Sequence, residues 1–89
     1  MVYLITYDLN KTKDYERLYT ALKALGDWIR DNGLDSVWFV STHLSADQIS
    51  EKLRGHIDSD DNVFVTRLHS GGHAGWMHKD IWPWLSSRI

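Results

Sequence analysis

The run Asp27-Trp28-Ile29-Arg30-Asp31-Asn32-Gly33-Leu34-Asp35-Ser36-Val37-Trp38-Phe39-Val40-Ser41-Thr42 decides how the chain folds. Asp27 to Arg30 suits a short strand, and Asp31-Asn32-Gly33 carries turn residues that tolerate positive φ. Val37 to Thr42 is β-branched and aromatic, which predicts the second arm of a hairpin. Two antiparallel strands therefore sit in the middle of the chain, and what flanks them fixes the class.

Toward the N-terminus, Tyr15, Leu18, Tyr19, Leu22 and Leu25 recur at helical spacing, with Lys13, Glu16, Arg17 and Lys23 mostly on the outer side. Gly26 is expected to supply a left-handed C-terminal stop. Before this helix, Val2 to Leu9 is apolar at both odd and even positions, as in a strand buried on both faces, and it ends at Asp8. Toward the C-terminus, Ser45 and Gln48 form a capping box, and Ala46, Ile49, Leu53 and Ile57 line one side of a second helix. A polar loop, Asp58-Ser59-Asp60-Asp61-Asn62, leads into a last alternating strand, Asn62 to Leu68. The order β-α-β-β-α-β predicts an α+β, ferredoxin-like domain over residues 1–70, an antiparallel sheet with both helices on one face.

Residues 71–89 form a different segment. Gly71-Gly72 reads as a hinge, and the tail beyond it holds Trp76, Trp82 and Trp84, three of the five Trp in the chain. Pro83 excludes a central strand there and restricts any helix to a short piece. In the expected fold the sheet face away from the helices needs a cover. Either the tail folds back over its own sheet, or a second subunit covers it, with tails exchanged across a homodimer. At 89 residues, a single domain buries only about 60–65% of the surface its unfolded chain exposes, so either cover matters to stability.

The chain has no Cys, which removes disulfides and thiolate metal sites. Its apolar start is too short for a signal peptide or membrane span, so a cytoplasmic protein without membrane attachment is the expectation. Ten Lys and Arg against twelve Asp and Glu give a net charge of −2. Phosphate neutralisation normally brings a basic surplus. Any RNA or DNA partner must then be met by a local basic patch or a bound cation.

Asp8 stands out as a candidate site. A carboxylate where an apolar strand ends is held on rigid backbone, and in a two-fold dimer two of them can share a hard divalent cation such as Mg²⁺. Such an ion could activate water and stabilise a phosphodiester transition state. The competing structural role is a cap on the turn that follows. Lys11, Lys13 and Arg17 could contact a phosphate backbone or form a solvated helix face. His69, His73 and His78 cluster in the tail without a recognisable metal-binding spacing.

The first strand Tyr3-Leu4-Ile5-Thr6-Tyr7-Asp8-Leu9-Asn10, the strand Leu34 to Thr42, and Leu44 to Asp58 leading into Asp60 to Leu68 resemble the Cas-two-like family. These are small dimers that accompany the integrase in CRISPR spacer acquisition, together with stand-alone relatives. The likeness runs over residues 2–68. It implies a ferredoxin-like subunit, a symmetric dimer and C-terminal segments that reinforce the interface. In nuclease members the strand-end Asp carries the metal, and Asp8 matches it. Tyr7 matches the residue beside it, Ser36 resembles the Ser that opens the hairpin strand, and Lys11, Lys13 and Arg17 loosely match the family's basic residues. The resemblance implies a Mg²⁺-dependent endonuclease acting on RNA or DNA, or else a non-catalytic dimeric adaptor that binds nucleic acid or a protein partner such as an integrase.

Overall fold

The computed structural model describes residues 1–10 and 15–89. Strand β1 (Val2–Asp8) leads to helix α1 (Tyr15–Lys23), then to strands β2 (Asp27–Ile29) and β3 (Val37–Ser41). Helix α2 (Ala46–Arg54), strand β4 (Asn62–Arg67) and a short helix α3 (Ile81–Ser86) follow. The protein is α+β. Its strands form one antiparallel sheet in the order β2-β3-β1-β4. Each helix-linked pair of strands, β1 with β2 and β3 with β4, therefore straddles an antiparallel neighbour.

The two-residue period of the strands sorts the side chains into two layers. Tyr3, Ile5 and Tyr7 share a face with Val40 and Trp38 of β3 and with Val65 and Val63 of β4, their register partners. Leu18 and Leu22 of α1 and Ile49 and Leu53 of α2 close this main core. Helix α2 starts at the capping box: Ser45 Oγ accepts the Gln48 N–H at 3.1 Å, and Gln48 Oε1 accepts the Ser45 N–H at 2.9 Å. Such a cap contributes roughly 1 kcal/mol.

The glycines depart from the sequence-based expectation. Among the described glycines only Gly71 has a positive φ, 77°. Gly26 is not a left-handed stop; α1 has already ended at Lys23. The chain passes so close to β3 that a Cβ on Gly26 would collide with the Ser41 carbonyl oxygen. Close approach, not handedness, demands glycine here. Gly33 also lacks a positive φ. Its N–H is held by the Asp31 carboxylate at 2.9 Å, and the same carboxylate accepts the His78 N–H at 2.7 Å. These two backbone donors, Gly33 first, hold the Asp31 carboxyl below its ordinary pKa.

On the other face, Val2 and Phe39 pack with Ile81 and Leu85 of α3 in a second core, with Leu4, Leu68, Met77, Trp82 and Trp84 around them. Pro83 sits within the first turn of α3, where a missing N–H costs no helical bond. The tail thus lies on its own sheet, but it covers only the half near Val2 and Phe39. Farther along β1, Thr6 is half-buried and Asp8 exposed, and Phe64 on β4 is 63% exposed.

Candidate functional site

Asp8 is the last residue of β1 and is exposed. Its register partner on β4 is Asn62, and Thr6 pairs with Phe64. Thr6, Asp8, Asn62 and Phe64 therefore project from one face, and with Tyr7 and Val63 they line a shallow cavity of about 360 Å³. Among the described residues, the Asp8 carboxylate makes no hydrogen bond or ion pair. Asn62 was not singled out from the sequence, because it ends a polar loop and only the β1–β4 register brings its amide opposite Asp8. A carboxylate beside an amide oxygen suits a hard cation.

The described residues at this end of the sheet are rich in carboxylates. Carboxylate oxygens of Asp58, Asp60 and Asp61 lie within 4.8 Å of one another, the one group among the described residues with three such metal-ligating donors together. Their hydrogen bonds give them a structural role. Asp61 accepts the Asn10 and Asp58 N–H groups, both at 2.8 Å, and Asp60 accepts the Asn10 side-chain amide at 3.1 Å. They join the chain after β1 to the loop before β4, two residues beyond Asp8 on one side and one before Asn62 on the other. Among the described residues, a phosphate approaching Asp8 faces these carboxylates, which disfavour it.

The other expected site residues lie elsewhere. Tyr7 is adjacent to Asp8 in sequence, so its side chain points to the opposite, helix-covered face. Its buried hydroxyl lies 3.3 Å from that of Tyr19 and donates toward the Asp35 carbonyl at 3.4 Å. Burial, reinforced by Tyr19, pushes its pKa up to about 12. The Arg30 charge and the Trp38 indole N–H pull the other way, the latter without reaching hydrogen-bond geometry. Tyr7 is thus a core residue of the aromatic cluster in which the Arg30 guanidinium sits over Tyr19 at 5.0 Å and Trp38 at 4.7 Å. Ser36 is exposed, and its carbonyl accepts the Tyr7 backbone N–H at 3.3 Å. Arg17 belongs to the helix layer, across the sheet from the Asp8 face, and reaches the Gly55 carbonyl at 3.5 Å. Lys11 and Lys13 fall outside the described residues.

The three tail histidines do not converge. His73 Nδ1 lies 3.0 Å from the His69 carbonyl, while His78 Nδ1 accepts the Asp80 N–H at 3.2 Å. No described helix is long and apolar enough to cross a membrane. Among known proteins, no family model matches this chain, and no solved structure matches it.

Proposed function

We propose that the chain is a ferredoxin-like subunit of a nucleic-acid-associated homodimer of the Cas-two-like kind, in which two Asp8 carboxylates hold Mg²⁺ for phosphodiester cleavage. The observation that carries this reading is the half-open sheet face. The tail covers one end of it, while Asp8, free of partners among the described residues, and the exposed Phe64 share the uncovered end. A second copy docking there about a two-fold axis covers Phe64 and brings the carboxylates toward each other. The strand order, read from β4 as 4-1-3-2, and the two interleaved split βαβ units support the ferredoxin-like assignment.

The residues fit the cation. One carboxylate per chain, doubled by symmetry, with Asn62 amide oxygens nearby, matches the few protein oxygens that Mg²⁺ takes while keeping several waters. Bound there, the ion would supply a low-pKa water and charge stabilisation. Asp8 and Asn62 would position it, and a bound cation would offset the described carboxylates near this end of the sheet. Because Tyr7 lies in the helix-side core and offers no second catalytic group beside Asp8, the non-catalytic adaptor is the competing reading.

Highly purified protein incubated with RNA and DNA separates the two. Cleavage that needs Mg²⁺ or Mn²⁺, stops with a chelator and falls to background in Asp8→Asn supports the nuclease. Binding without cleavage under either metal replaces it with the adaptor.

A further inference from the structure

Trp76 is the most solvent-exposed apolar side chain in the described structure, 99% accessible in a loop with no regular secondary structure. Trp76 itself borders an apolar groove of about 210 Å³ whose walls include Leu4, Leu34, Phe39, Leu68, Met77 and Trp82. An apolar cavity of about 150 Å³ accepts a benzene ring, so this groove has room for an indole. A knob on the lip of a hole of matching size is self-complementary: a two-fold axis passing between them seats each knob in the other copy's hole.

We infer that Trp76 of one copy docks in the groove of a second copy. The inference rests on the homodimer proposed above and assigns its anchor. Two exchanged indoles and the walls they cover account for roughly 600–1,000 Å² at the area a Trp side chain buries. Phe64 adjoins this region, since its partner Thr6 follows the groove residue Leu4 on the same face of β1. Together they reach the roughly 1,000 Å² that a specific interface requires. The two most exposed aromatics of the chain, Trp76 and Phe64, are then both covered by one contact, and the cavity at Asp8 adjoins it.

The test labels the chain with 5-fluorotryptophan and follows each indole by ¹⁹F NMR, with Trp76→Phe assigning the resonance. The expected result is a Trp76 signal that loses its solvent isotope shift as protein concentration carries the chain from monomer to dimer. Trp76→Ala should weaken the dimer by about thirtyfold or more, as loss of a buried aromatic anchor does. Leu34→Lys, on a groove residue that is 40% exposed and so tolerant of charge, should weaken it as well while leaving the monomer folded. A dimer unchanged by both substitutions, with Trp76 still in solvent, overturns this inference and leaves the homodimer standing. A Trp76 signal already protected in the monomer overturns it in favour of an intramolecular contact. A chain that stays monomeric at high micromolar concentration removes both.

Discussion

Phe64 stands opposite Thr6 in the β1–β4 ladder and one diagonal step from Asp8, on the face of the sheet that α3 leaves open. An apolar ring 63% exposed beside a carboxylate without a partner among the described residues is poorly explained by a solvated surface. The proposed homodimer would cover this ring. Phe64→Lys should therefore move sedimentation equilibrium toward monomer and leave the thermal unfolding of the dilute protein nearly unchanged. A dimer as tight as the wild type would place the interface elsewhere.

Removing the second core tests the tail. Leu85 is buried against Val2 and Phe39, so Leu85→Ala should cost about 2–5 kcal/mol in urea unfolding. Truncation after Leu68 should cost more, because it uncovers the whole apolar half of that face. Unchanged unfolding midpoints would make the tail a mere appendage.

How far these features were legible beforehand depended on their range. The capping box at Ser45 and Gln48 and the alternation of β4 are local, and both appear where the residues point. Gly26 was misread because its reason lies in Ser41, fifteen positions on, rather than in its own helix end. Tyr7 was grouped with Asp8 by likeness along the chain, yet one step along a strand reverses the face. Asn62 needed the register. For the tail, Pro83 allowed a short helix, but composition alone does not say which surface that helix covers.

The Gly26 contact yields a sharp prediction. Gly26→Ala should destabilise by about 1–3 kcal/mol, the usual range for an added methyl group that forces its neighbours to shift. Gly55→Ala, where a Cβ meets nothing within 4 Å, is the matched control and should be close to neutral. Equal stability of the two variants in urea unfolding would contradict the close approach of the chain to β3.

Tyr7 couples stability to alkaline pH. Its folded pKa of about 12 lies above the ordinary 10.0, so the unfolded chain gives up this proton first. The contribution is fully present below pH 10 and is lost as pH rises from about 10 to about 12. Tyr7→Phe should remove this part of the alkaline loss, and it should leave any metal-dependent cleavage intact because the ring faces away from Asp8. Loss of cleavage in a folded, dimeric Tyr7→Phe would return Tyr7 to the site.

The pairing of Asp8 is tested most directly by counting ions. Titration of the dimer with Mn²⁺, followed by electron paramagnetic resonance, should show one tight site for every two chains, and Asp8→Asn should abolish that site without dissociating the dimer. Binding that survives Asp8→Asn, or one independent ion per chain as the Asp58, Asp60 and Asp61 group would give, contradicts a metal shared between two Asp8 carboxylates.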